Sequence, residues 1–268
     1  MDKIVRSPAV AGLFYPADPG ELVDMVDQML AAPAQEIEPA SSGVLRAIQV
    51  PHAGYIYSGP VAGPAFTRFG RLNPAPSRVV IAGPVHRVPV RGVALSSATH
   101  FETPLGQVPL DQDAQVELAE LPQLTYFEAA HAQEHSIEVQ IPFLQRVLVD
   151  FSIIPLAVGD CPPAQVAAVF QALDTPETVF VISSDLSHYL PYDEAKQVDA
   201  ETISQISELE FPLRSAQACG AYPLSGAMEY AVQRGWTPHL LSAANSADTV
   251  GDKSRVVGYS SFTFREEQ

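Results

Sequence analysis

Cysteine is scarce in this 268-residue chain, which contains only Cys161 and Cys219. Two cysteines are too few for a disulfide framework at this length, so a reducing compartment is expected. Long apolar runs are missing as well. No stretch approaches 18 apolar residues, and the opening MDKIVRSPAV lacks the apolar segment of a secretory signal. These absences predict a cytoplasmic protein without a transmembrane helix.

Positive charge is also in short supply. The chain has 15 basic residues against 31 acidic ones, a formal net charge of −16, and no block of like charge. Nucleic-acid binding needs clustered lysine and arginine to neutralise phosphates, so a nucleic-acid partner is not expected. An anionic membrane surface is disfavoured for the same reason.

Common cofactor and nucleophile motifs are absent too. The chain contains no GxGxxG, no GxxxxGK[ST] and no GxSxG, and its EHSIE segment (134–138) does not match HExxH. Nicotinamide, P-loop, hydrolase-triad and zincin chemistry therefore have no support in the sequence.

The chain does contain apolar strand-like runs that alternate with helical patterns. This alternation predicts an α/β fold, one domain over residues 1–268, with a mostly parallel or mixed sheet flanked by helices. Residues 33–43 are expected to form a solvent-exposed loop. Strands are predicted over residues 45–50, 78–82, 92–97, 151–158, 178–184, 239–243 and 256–264. Helices are predicted over residues 19–32, 61–69, 112–119, 136–148, 163–173, 194–209 and 223–234.

Three histidines each follow the end of a predicted buried strand. They are His52, His86 and His188. Ligands of open α/β sheets bind outside the carboxyl ends of the strands. Imidazole both titrates near neutral pH and binds transition metals. The spacing therefore indicates one shared site, although each histidine alone is equally compatible with a packed loop.

Carboxylates accompany two of these positions. Asp185 precedes His188 by three residues and is predicted to orient it as a general base, with helix capping as the alternative. Glu134 and His135 are predicted to support a metal-bound histidine from outside the ligand set. The alternative there is simple capping, with Ser136 as the N-cap and Glu138 near the helix's positive end.

Cys219 lies just before the helix predicted to start near residue 223. A helix N-terminus lowers a thiol pKa and favours the thiolate, although a lone cysteine is more often a buried structural residue. Together, His52, His86 and Cys219 offer two imidazole nitrogens and one sulfur. This set suits copper, zinc or iron(II). No role is assigned to Cys161.

Seven segments, in order along nearly the whole chain, resemble the signatures of the MEMO family. They are VAGLFYP (10–16), PHAGY (51–55), GPVH (83–86), EHSIE (134–138), SSDLSH (183–188), ACG (218–220) and SADTVGDKSRVVGY (246–259). Arg87 and Tyr222 stand where some relatives differ, and these two positions bear on substrate preference.

The resemblance implies a fold similar to class III extradiol dioxygenases, with a cleft at one end of the sheet. It implies that His52, His86 and Cys219 bind iron or copper, with the cysteine in place of a carboxylate. Asp185 and His188 then line the same pocket, with His188 in the acid/base position. Family members are described as having redox-related activity, and prokaryotic ones as accompanying radical-SAM and AMMECR-type proteins.

Two functions from different classes follow from these observations. The first is a metal-dependent, dioxygenase-like redox enzyme acting on a small molecule. The second is a scaffold that recognises a peptide or partner protein through a vestigial active-site cleft lined by Tyr55, Tyr57, Tyr189 and Tyr192. A third reading makes the histidines purely structural.

Overall fold

Alternate residues of the central strands enter two different apolar cores, so one sheet separates two layers of helices. This computed structural model describes residues 3–35, 43–249 and 252–267. The strands are β1 (Val5–Arg6), β2 (Val44–Val50), β3 (Arg78–Pro84), β4 (Val93–Leu95), β5 (His100–Thr103), β6 (Gly106–Pro109), β7 (Leu124–Tyr126), β8 (Ser152–Val158), β9 (Thr178–Ser183), β10 (His188–Leu190), β11 (Trp236–Asn245) and β12 (Val256–Glu266).

The helices lie between these strands. They are α1 (Pro19–Leu30), α2 (Tyr55–Phe69), α3 (Gln112–Leu118), α4 (Ala129–Ala132), α5 (Ile141–Val147), α6 (Pro163–Leu173), α7 (Tyr192–Ser207), α8 (Ala221–Arg234) and α9 (Ser246–Thr249), with a 3-10 turn at Glu138–Gln140. No helix in the described ranges is both long and apolar enough to span a bilayer.

The main sheet is mixed around a parallel centre. Its order is β10-β12-β2-β9-β3-β8-β4-β7, with β11 also paired to β12. The pairs β2–β9, β9–β3 and β3–β8 are parallel, whereas β12–β2 and β8–β4 are antiparallel. The predicted α/β architecture with a mixed sheet between helices is therefore confirmed.

Residue alternation on β3 explains the two layers. Val79 and Ile81 enter the core that holds α1, α2 and α5, whereas Val80 and Ala82 enter the core under α6 and α8. Successive strand side chains point to opposite faces, and both faces of a parallel centre are covered. The carboxyl ends of β2, β3 and β9 consequently open onto one edge of the sheet.

The helix predicted over residues 136–148 is confirmed only in its second part. Residues 136–137 form a turn and Glu138–Gln140 a 3-10 turn, and the α-helix begins at Ile141, with Pro142, which lacks an N–H, in its first turn. Ser136 donates its hydroxyl proton to the Pro84 carbonyl instead of capping a helix. The prediction also missed the small sheet β1-β5-β6 and the short strands β7 and β10. Most of the predicted loop at 33–43 lies outside the described residues.

Glu138 connects the N-terminal arm, residues 6–15, to the core. Its carboxylate pairs with buried Arg6 and accepts the N–H groups of Ala9 at 2.8 Å and Val10 at 3.0 Å, as well as the hydroxyl of Tyr15. Arg6 also donates to the Glu134 carbonyl at 2.7 Å. The arm is thus fastened beside the segment that carries Glu134.

We expect Glu138→Gln to lower the free energy of unfolding by about 3 kcal/mol, because it leaves the buried Arg6 charge unpaired. Urea unfolding followed by circular dichroism measures this loss. The matched control is Asp27→Asn, which removes the exposed pair with Arg146 and should cost less than about 1 kcal/mol. Equal, small losses in both variants would show that the buried pair does not hold the arm.

Candidate metal centre

His52 is held by hydrogen bonds that fix which ring nitrogen carries the proton. Its Nδ1 lies 2.8 Å from Oγ of Ser183. That hydroxyl gives its own proton to the Ser136 carbonyl at 2.6 Å and accepts a second N–H from Gln140. Ser183 can therefore only accept from the imidazole, so Nδ1 of His52 is protonated and Nε2 carries the lone pair.

His86 is fixed in the same way by Glu134. The Glu134 carboxylate accepts Nδ1–H of His86 at 2.9 Å and the backbone N–H of His86 at 2.6 Å. It also accepts the N–H groups of His135 and Ser136. Burial alone would raise the pKa of Glu134, but the hydrogen bond and charge of His86 outweigh it and hold the pKa at about 2. Because Nδ1–H of His86 is committed to the carboxylate, Nε2 is the nitrogen that a metal ion can bind once the ring is neutral.

Cys219 reaches the same place from the turn before α8. The turn packs so tightly that a Cβ at Gly220 would lie 2.6 Å from Ser184, so only glycine brings the cysteine this close. In the metal-free chain the thiol, not the thiolate favoured by a helix N-terminus, is the stable form. Burial raises the pKa of the Cys219 thiol, and the nearby Asp185 carboxyl raises it further, whereas N–H and hydroxyl donors oppose the shift without cancelling it. The helix N-terminus is therefore outweighed by desolvation.

The three donor atoms lie within the reach of one ion. The ligand atoms of His52, His86 and Cys219 are all within 4.8 Å of one another, and Sγ of Cys219 is 3.2 Å from Nε2 of His52. Metal–nitrogen bonds of about 2.0–2.1 Å and metal–sulfur bonds of about 2.3 Å place the ligands of one ion roughly 3–4 Å apart. The residues present therefore fit a transition metal.

A second group, His86, Glu134 and His135, is equally compact. Its carboxylate already accepts four N–H groups, so it has less capacity to bind an ion than the first group. The ring of His135 stacks on His86 at 4.7 Å and meets His52 edge-on at 5.3 Å. Burial lowers the pKa of His135 to about 4, so it is neutral. His135 therefore lines the cavity itself, in contact with both rings.

Asp185 and His188 lie near the metal group but do not form the predicted pair. Asp185 is buried and accepts the backbone N–H of His52 at 2.7 Å. Nδ1 of His188 instead donates to the Leu186 carbonyl at 2.8 Å, which directs the lone pair to Nε2. Burial raises the pKa of Asp185 to about 7 and lowers that of His188. Asp185 thus positions the His52 backbone, whereas His188 is oriented by a carbonyl.

A cavity of about 990 Å³ opens over these groups. Its wall reaches from the ends of β2, β3 and β9 to the N-terminal arm and to the start of β12, and it includes His52, His86, His135, Asp185, His188 and Cys219. Other lining residues are Leu13, Phe14, Ala53, Gly54, Tyr57, Arg87, Tyr189, Leu190, Ser215, Ala216, Ser246, Asp252, Arg255, Val257 and Tyr259.

Comparison with known proteins shows which family this chain belongs to. The model of the Memo-like protein family matches residues 6–263. This chain belongs to the MEMO family. It is 37% identical to a MEMO1 family protein of Aquifex aeolicus, with 97% of this chain and 99% of that protein covered. MEMO1 family proteins of Sulfolobus acidocaldarius and Ignicoccus hospitalis are 35% and 36% identical over the same shares. The fold expected from extradiol dioxygenases is consistent with MEMO membership.

Replacing Glu134 by glutamine should weaken metal binding by roughly 10- to 100-fold, because a neutral amide cannot accept four N–H groups and no longer fixes His86. Competition with a chromogenic chelator measures the affinity for Zn²⁺. Glu128→Gln is the matched control, since Glu128 accepts hydrogen bonds from Ser96 and Ser97 and is not on the cavity wall. Unchanged affinity in a folded Glu134→Gln variant would contradict this role.

Metal binding should also release a proton from Cys219, which is a thiol at pH 7 because burial raises its pKa. We expect wild-type protein to release about one proton more per Zn²⁺ than Cys219→Ser, so its affinity rises with pH. Calorimetry in two buffers of different ionisation enthalpy measures the release. Cys161→Ser removes the other buried cysteine and should behave as wild type. Identical release from wild type and Cys219→Ser would show that the sulfur is not a ligand.

Proposed function

We propose that this MEMO-family chain binds iron(II) or copper through His52, His86 and Cys219 and supports redox chemistry on a small molecule in the cavity. The observation that carries the proposal is that two imidazole nitrogens and one sulfur lie close together on the cavity wall. The part of the wall formed by His52, His86 and Cys219 is the floor of the cavity. Sulfur ligation favours copper(I) or iron over magnesium or calcium, and the nitrogen ligands also accommodate zinc.

The donor set supports catalysis as well as storage of the ion. Three protein ligands leave further coordination positions, and here those positions face a cavity wide enough for a metabolite. When bound, the metal supplies an electrophilic, redox-active centre for substrate and oxidant.

The protein groups around the centre have separate tasks. Neutral His188 offers Nε2 to the cavity and takes a proton from the substrate, since its Nδ1–H is committed to the Leu186 carbonyl. Glu134 and Ser183 keep the two ligand rings in the required tautomer. Asp185 holds the His52 backbone against the end of β9. Both His52 and Asp185 are buried, so their positions are fixed by the surrounding protein.

The scaffold function is the second candidate, and one observation favours it. Leu13 is 80% exposed and Tyr189 is 62% exposed, and both lie on the cavity wall. Exposed apolar side chains beside a cleft are typical of surfaces that bind a protein or peptide. A wild-type chain that binds neither iron(II) nor copper(I) would favour this candidate over the enzyme.

Anaerobic titration tests the metal proposal directly. We expect wild-type protein to bind one equivalent of iron(II) or copper(I), and His52→Ala to bind roughly 100-fold more weakly or not at all, because one ligand nitrogen is lost. The matched control is His239→Ala, on β11 and outside the cavity wall, which should bind as wild type does. A His52→Ala variant that binds both metals normally would overturn the proposal.

A further inference from the structure

Two arginines lie on the wall of the cavity, although the chain as a whole has a net charge of −16. Arg87 follows β3, directly after His86, and Arg255 precedes β12. The two come from distant parts of the chain and still face one cavity. Both arginines are exposed and form the mouth of the cavity. Of the proposed metal ligands, His52 is buried and Cys219 is partly buried, whereas His86, next to Arg87, is exposed as well.

Neither arginine is neutralised by the protein. Within residues 3–35, 43–249 and 252–267, no carboxylate lies within ion-pair distance of Arg87 or Arg255, although other arginines such as Arg78 and Arg146 have one. The nearest carboxylate in sequence, Asp252, is also on the cavity wall but accepts the N–H and hydroxyl of Ser254. Guanidinium groups left without a carboxylate at a cleft are suited to bind a carboxylate or phosphate of a ligand.

Arg255 is also oriented by its surroundings. Its guanidinium carbon lies 4.8 Å from the centre of the Tyr189 ring, within range of a cation–π contact. Tyr189 occupies a bulge between paired residues His188 and Leu190, and its φ of 60° is costly for a residue with a side chain. The bulge brings the ring within 5.8 Å of the His188 ring, instead of on the opposite face of the strand. The strained backbone therefore places a platform for Arg255 beside the acid/base histidine.

The histidines of the floor are not a permanent source of positive charge for an anionic ligand. Imidazoles carry a positive charge only when protonated, whereas a guanidinium is charged at any physiological pH. Arg87 and Arg255 are the arginines among the described residues that line the cavity, and no lysine is among them. A cavity of about 990 Å³ lies at the upper end of the range of small-molecule sites, roughly 300–1,000 Å³, so one ligand can extend from floor to mouth.

We propose that the ligand of this cavity is an anion whose carboxylate or phosphate binds Arg87 and Arg255 at the mouth while its other end reaches the histidine–cysteine floor. The part about the floor rests on the proposed metal function, whereas the anion site at the mouth does not. Arg87 and Arg255 are therefore residues that determine substrate specificity.

Benzoate, phenyl phosphate and neutral benzamide test this proposal, since they share one ring and differ in charge. Binding to the full, metal-free chain is measured by ligand-observed NMR at low salt. We expect both anions to bind at least ~10-fold more tightly than benzamide, and Arg87→Gln/Arg255→Gln to remove that preference. Tighter binding of phenyl phosphate than of benzoate assigns a phosphate ligand, and the reverse assigns a carboxylate.

Arg71→Gln is the matched control, because it removes one exposed arginine outside the cavity wall and should leave all three affinities unchanged. The same double variant is titrated with Zn²⁺ and should bind it as wild type does. Benzamide binding as tightly as the anions, or anion binding that survives the double substitution, would overturn the anion site. Failure of the metal proposal shows separately, in the His52→Ala titration.

Discussion

The candidate site depends on two hydrogen bonds that orient its imidazole rings. Ser183 accepts the Nδ1–H of His52, and Glu134 accepts the Nδ1–H of His86. If either acceptor were missing, a ring could rotate or change tautomer, and its lone pair would no longer face Cys219. The metal group is therefore a product of the surrounding hydrogen-bond network as much as of the three ligands.

The same network connects the site to the rest of the fold. Ser183 is the last residue of β9 and also contacts the Ser136 carbonyl, while Glu134 lies two residues before Ser136. Arg6 of the N-terminal arm donates to the Glu134 carbonyl and pairs with Glu138. The irregular segment 134–138 thus links the arm, the end of β9 and His86. A regular helix over these residues would not place Glu134 and Glu138 in their two separate roles.

The sequence predicted what depends on local pattern. Apolar runs located β3, β8 and β9, and the rule for strand ends brought His52, His86 and His188 to one edge. Features that depend on residues distant in the sequence were not predicted. Gln140 lies inside a predicted helix, and nothing local indicates that it donates to Ser183. The protonation state of Cys219 could not be decided from the sequence either, because a helix N-terminus is visible in sequence whereas desolvation and the Asp185 carboxyl appear only after folding.

Burial of Cys219 has a consequence for how the protein tolerates air. Oxygen and peroxide attack sulfur chiefly as the anion, and sulfinic or sulfonic products are not readily reversed. Because burial keeps the sulfur protonated, the folded, metal-free chain is protected from this damage. Under the proposed metal binding, the risk of irreversible oxidation would be confined to the metal-loaded form, in which the sulfur is an anion.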